Sequence, residues 1–224
     1  MKIWKLHSNN TKSASIYISS YEEADYYTNI FQQQFNTGKK IDKNWQETLI
    51  YSIVDTDFSK FLFSGKEIWL CSEKAKQLIE PLLKENVEFL PVLERSEVGK
   101  KISFPKRLFQ RKAFKPVIEM IPEQRYYMLN LTKILSTDVI DFEQSDLKMD
   151  KNGRIYLVEK LFFKNELLNN CHIFTIKNES PYFKSNIFIS NKLKAIIESN
   201  KLTGLTFIER PEEEGGTLVW SQPT

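Results

Sequence analysis

Glycine is scarce in this chain, with 7 among 224 residues, and so are proline (8), cysteine (2) and histidine (2). So few glycines leave little material for a loop that cradles phosphates, and none of the patterns GxGxxG, GxxxxGKS/T or GxSxG occurs. Nucleotide-binding enzymes of the common kinds are therefore disfavoured. The two histidines, His7 and His172, have no CxxC, no HExxH and no helical ligand spacing around them, so no zinc site can be assembled, and no metal or other cofactor is expected. Cys71 and Cys171 both sit in apolar stretches of a chain too large to need staples, which predicts reduced, buried thiols in a cytoplasm. Beside Cys171, His172 fails as the base of a nucleophile pair, because neighbours in a strand point to opposite faces.

Long apolar runs are also missing. The N-terminus, Met1 to His7, reaches polar Ser8-Asn9-Asn10 before a signal-peptide core can form, and no later stretch approaches the roughly 18 apolar residues of a membrane span. A cytoplasmic protein without a membrane partner is expected. Nor does one sign of charge prevail: 32 basic side chains against 29 acidic ones leave a net +3, far from the excess of a dedicated nucleic-acid binder.

What the chain does have is apolar and aromatic material, 41% and 13% of its residues, with 16 Phe and 9 Tyr. At this length folding can remove roughly 70% of the unfolded surface from water, so residues 1–224 are read as a single domain, divisible at most into lobes 1–120 and 121–224. Ala24, Tyr27, Phe31 and Phe35 recur at spacings of three and four and predict a helix over 22–35, ended by Gly38. A less regular helical stretch is read over 45–53. The run 58–63 follows, and Ser64-Gly65-Lys66 marks a turn. Strands are predicted at 68–71, 87–92, 125–131, 154–163, 171–176, 187–189 and 205–209, with a further candidate at 218–220. Asp150-Lys151-Asn152-Gly153 is a hairpin turn that pairs 147–149 with 155 onward. The fold class is α+β, with mixed and antiparallel sheets and flanking helices.

One unit of strand, serine, helix and strand occurs twice. Residues 72–89 laid over 190–207 without a gap pair Ser72 with Ser190, Lys74 with Lys192, Lys76 with Lys194, Ile79 with Ile197, Glu80 with Glu198 and Phe89 with Phe207. About one or two identities are expected from average composition. Each serine is placed to cap a helix, over 73–83 and 191–199, and each helix carries an apolar stripe.

Catalytic candidates are few. Asp138 with Asp141, or Glu143 with Asp146, could in principle do acid/base work, though most such carboxylates are solvated. Asp146 and Asp150 faintly resemble a calcium loop, without its bidentate Glu; the hairpin turn explains them. No catalytic residue is assigned. Binding candidates are clearer: Lys106, Arg107, Arg111 and Lys112, interleaved with Phe104, Phe109 and Phe114 in the acid-free segment 100–115, have the makings of a single-stranded nucleic-acid groove, or of a solvated loop anchored by its aromatics. The acidic stretch holding Glu212, Glu213 and Glu214 would suit a basic protein partner. Tyr26 and Tyr27, with Tyr21, exceed what one core stripe can hide and are candidates for an interface, with partial burial in the same molecule as the other explanation.

The order of these pieces resembles the Imm11-type bacterial immunity proteins (the immunity MXAN-0049 group): Trp69-Leu70-Cys71-Ser72, its helix and Val87 to Val92, then Tyr126 to Leu131 with Asp138 to Ser145, then Ile187-Phe188-Ile189-Ser190 through Leu202 to Phe207. Most of residues 60–209 is covered; the segment 94–116 and the N-terminal third depart from the pattern. The resemblance implies an immunity protein of a polymorphic toxin system that binds and neutralises a cognate secreted toxin in the bacterial cytoplasm, without catalysis and with no catalytic residues to carry over. A nucleic-acid-binding protein using 100–115 is the competing expectation, with nucleic acid as the less favoured partner.

Overall fold

The computed structural model describes residues 2–8, 15–16, 21–41, 45, 48–51, 56–63, 66–95, 125–177, 183 and 186–209. Among them the chain forms strands β1 (Ile3–Ser8), β2 (Ser15–Ile16), β3 (Thr48–Tyr51), β4 (Phe58–Phe63), β5 (Lys66–Ser72), β6 (Val87–Arg95) and β7 (Arg125–Leu131). These are followed by β8 (Ile134–Leu135), β9 (Asp146–Met149), β10 (Ile155–Lys160), β11 (Ile173–Ile176), β12 (Phe188–Ser190) and β13 (Leu205–Glu209). Helices are α1 (Tyr21–Asn29), α2 (Glu73–Leu83) and α3 (Asn191–Ser199). This is the expected α+β class.

Two sheets dominate. One has the order β2-β3-β6-β7-β5-β4 and the other β13-β1-β12-β11-β8, while β9 and β10 form a separate hairpin. Pairing is antiparallel except for β3 with β6 and β8 with β11. Both sheets draw strands from either side of residue 120: β7 enters the first, and β1 from the N-terminus enters the second.

Strand alternation explains how the core is layered. Tyr127, Leu129 and Leu131 of β7 and Trp4 and Leu6 of β1 point into a central cluster that also holds Ala75, Ile79 and Leu83 of α2 and Leu193 and Ile197 of α3. The two helices therefore pack between the sheets. Tyr126 and Met128 point the other way, onto Tyr27, Ile30 and Phe31. On the far side of the second sheet, Ile3, Phe174 and Phe188 meet Val139, Ile155 and Leu168.

The 22–35 helix is present over 21–29 and closes in a π turn, Ile30–Gln34, with the Phe35 N–H donating to Ile30 O at 2.9 Å. Its spacing buries Tyr27, Phe31 and Phe35 to 1% exposure or less, with ring centroids 6.0 and 5.3 Å apart along the stripe. The helix read over 45–53 is a correction. Thr48-Leu49-Ile50-Tyr51 is a strand beside β6, because β-branched and aromatic residues fit a pleated surface once a partner strand is available. The strand candidate at 218–220 lies outside the described residues.

The doubled unit is real in three dimensions and larger than its sequence. β5-α2-β6 and β12-α3-β13 each place two parallel strands astride one antiparallel strand, β7 in the first and β1 in the second. Even the register repeats. Ser72 faces Tyr126 and Phe89 faces Leu129; correspondingly Ser190 faces Ile3 and Phe207 faces Leu6. Tyr127 and Trp4 thus occupy equivalent positions.

Candidate partner-binding site

Most of the shared residues of the repeat serve the fold, while Lys74 and Lys192 are exposed. Ser72 Oγ accepts from the Ala75 N–H at 3.1 Å and Ser190 Oγ from the Leu193 N–H at 3.3 Å, so both serines are the expected helix caps. Lys76 lies 4.7 Å from the Tyr127 ring centroid and 5.9 Å from that of Phe89, and pairs with Glu80 at 3.0 Å. Lys194 repeats the arrangement, 4.2 Å from Trp4 and 5.6 Å from Phe207, with Glu198 at 2.7 Å. The first residue of each helix bonds the same aromatic: the Tyr127 hydroxyl donates to Glu73, and the Trp4 indole N–H donates to Asn191 Oδ1 at 3.2 Å. Both lysines are spent on the fold, at 19% and 17% side-chain exposure.

Sequence reasoning missed one polar pair. His172 Nδ1 lies 2.9 Å from Ser190 Oγ. That hydroxyl also accepts from the Leu193 N–H, and burial and Lys192 hold the imidazole's pKa below the ordinary value. At 1% exposure Ser190 has no open approach, and the pair is a cap held by a second partner rather than an activated nucleophile. Cys71 and Cys171 are free and buried, as predicted; burial raises both thiols, Cys171 to about 11.

Two of the carboxylate candidates, Asp138 and Asp141, are also occupied. Asp141 caps the turn of Glu143 and Gln144 at 3.1 and 3.2 Å, and Ser136 donates to Asp138 at 2.8 Å. Asp150 Oδ1 accepts from Asn152 and Arg154 N–H groups at 2.8 and 2.9 Å, with Gly153 at φ +75°, which is the hairpin turn and not a calcium loop. Among the described residues no group of three His, Cys, Asp or Glu is placed to hold a metal ion.

Of the binding candidates, Lys106, Arg107, Arg111, Lys112, Glu212, Glu213 and Glu214 lie outside the described residues. Tyr27 is a correction: the α1 stripe turns it inward, its 1% exposure offers a partner no area, and Tyr26 is half-buried against it at 5.1 Å.

A different surface is concave. A cleft of about 1040 Å³ opens between the turn after the π helix, the edge strand β8 and the end of β11. Lys39, Lys133 and Lys177 line it. The site is well anchored. Asn130, fully buried, receives the Asn36 N–H at 2.8 Å and donates through Nδ2 to Lys39 O at 3.0 Å and Glu88 Oε2 at 2.9 Å, clamping the turn to β7. Asn36 sits at φ +55°, and its Oδ1 accepts the Leu131 N–H at 2.7 Å. The backbone N–H groups of Lys133 and Lys177 donate to Asn86 O and Leu135 O at 3.2 and 2.7 Å. Most of this cleft is built by the chain from β7 onward.

Residues 118–210 match the Imm11 immunity protein family. No curated protein matches the chain. The matched span holds β7 to β13 and α3, which contains the Tyr126 to Leu131 strand and the second copy of the repeat, two of the pieces that carry the resemblance. The first copy, with Trp69 and Val87 to Val92, precedes it. Lys133 and Lys177 fall inside the Imm11 span and Lys39 outside it. Phe142, Met149, Tyr156, Leu157 and Leu167, the exposed large apolar residues among those described, also fall inside it. No described helix is long and apolar enough to cross a membrane.

Proposed function

We propose that this protein is an immunity protein that binds and neutralises a cognate secreted toxin in the bacterial cytoplasm, acting by stoichiometric occlusion and not by catalysis. The observation that carries the reading is the Imm11 match over 118–210. The helix-capping serines and the Asp138 and Asp141 carboxylates are engaged in holding the fold, which suits a binder. A cleft built mostly by the chain from β7 onward, and exposed apolar side chains within 118–210, offer surface for a partner. A partner interface of standard size would bury on the order of 1,600 Å² in total.

Co-expression tests it. The gene immediately upstream is induced in a sensitive host with and without this protein, and colony survival is counted. Survival restored only when this protein is present is the expected result. Equal killing in both cultures overturns the reading.

A further inference from the structure

Some lysines of the fold are paired with glutamates, and those lining the cleft are not. Lys76 and Lys194 are paired with Glu80 and Glu198, Lys148 with Glu159 and Lys60 with Glu67. Lys39, Lys133 and Lys177 are exposed and make no ion pair among the described residues. Glu67, the one carboxylate among the described lining residues, is neutralised by Lys60. The hydroxyls beside them are committed elsewhere: Thr37 donates to Gln34 O at 2.6 Å, Ser136 to Asp138 at 2.8 Å and Thr175 to Asn186 O at 3.1 Å. Among the described lining residues three ammonium groups without an ion pair to a described residue therefore supply the charge, on backbone that Asn130, Asn86 and Leu135 hold in place.

We propose that this cleft receives an acidic loop of the cognate toxin, whose Asp and Glu carboxylates pair with Lys39, Lys133 and Lys177; this rests on the immunity reading above. The occupant is anionic by charge complementarity, which steers encounter and fixes register. It is a polypeptide loop and not a nucleic acid because single-stranded nucleic acid needs aromatic faces for its bases. Trp69 is the only aromatic ring among the described lining residues, and it is 3% exposed. Ile134 and Leu135 of β8, both partly exposed, instead offer apolar contact to the loop's carbon atoms. Its volume lies at the top of the roughly 300–1,000 Å³ typical of small-molecule sites, which suits a segment of chain.

Two assays on the full chain separate the outcomes. In the first, a short fluorescein-labelled peptide rich in Asp and Glu is titrated against wild type, K133E/K177E and the turn variant K151E, with labelled oligothymidylate as comparison. Binding that weakens with salt, falls about tenfold or more in K133E/K177E and is unchanged in K151E is expected. Absent peptide binding at low salt, equal affinity in wild type and K133E/K177E, or tighter binding of oligothymidylate through the same lysines overturns the proposal. In the second, K133E/K177E replaces wild type in the co-expression experiment, after its melting temperature is shown to match. Lost protection supports the cleft. Full protection by the variant overturns the cleft assignment and leaves the immunity reading standing, whereas failure of wild type to protect overturns the immunity reading and with it the toxin as occupant.

Discussion

The ammonium of Lys194 lies 4.2 Å from the ring centroid of Trp4, though 190 positions separate them in the chain. Lys76 stands in the same relation to Tyr127 at 4.7 Å, so one contact is made twice, by residues equivalent within the two units. Both lysine stems cover apolar surface while the charged end meets a ring and a glutamate. Lys194→Ala and Lys76→Ala should each cost about 1–2 kcal/mol in urea unfolding, and Lys→Met at either site distinctly less because the stem remains. Losses within error of zero at both sites would show that the contact contributes nothing.

Gly204 joins the two sheets. A β-carbon there would lie 2.0 Å from Phe58 O, and the backbone sits at φ +95°, a conformation L side chains rarely adopt. Gly204→Ala should destabilise by roughly 3 kcal/mol or more, combining clash with strain. Gly153, at φ +75° with open space around it, isolates the strain, and Gly153→Ala should cost roughly 1 kcal/mol. Denaturant midpoints for the pair measure the difference.

Acid should loosen the second repeat. His172 in the folded protein titrates below the ordinary histidine value of about 6.5, because burial and Lys192 disfavour the cation. The unfolded chain therefore binds the proton more readily; stability is full above pH 6.5 and falls as pH drops from there toward the folded-state pKa. Burial and neighbouring Lys60 and Lys5 shift His7 in the same direction. The melting temperature should decline below pH 6.5, with a shallower slope in His172→Gln; an unchanged slope would remove His172 from the account.

Both cysteines are protected by burial, at 0% and 2% exposure, and their thiols are held protonated. Ellman's reagent should label neither in the native protein and both after denaturation. Rapid labelling of native Cys71 would contradict the central layer described here.

Asn130 ties the cleft to the core. Asn130→Leu strands the Asn36 N–H and one acceptor site on Glu88, at a cost of roughly 2–3 kcal/mol. Amide exchange over 36–41 should quicken more than exchange in α3, which contributes nothing to that clamp.

Much of the architecture was legible because its signals are local. A serine ahead of an amphipathic stripe defines α2 and α3, Asn152-Gly153 defines the hairpin turn, and the gapless match of 72–89 with 190–207 reveals the repeat. Where a signal depended on a distant partner, reading failed: 45–53 looked helical until β6 supplied a neighbour for Thr48 to Tyr51, and Tyr27 looked available until the first sheet covered it.

The sequence by itself determined the class, the caps, the turn and the doubled unit, since each rests on interactions among residues a few positions apart. Only the tertiary structure decided that the middle strand of one unit comes from after it, as β7, and that of the other from the N-terminus, as β1. No linear alignment carries that equivalence, because hydrogen bonding and burial across a sheet are indifferent to chain order. The cleft is of the same kind: Lys39, Lys133 and Lys177 are unremarkable surface lysines in the sequence, and line one cleft only once Asn130 holds the Lys39 turn against β7 and β8 pairs with β11.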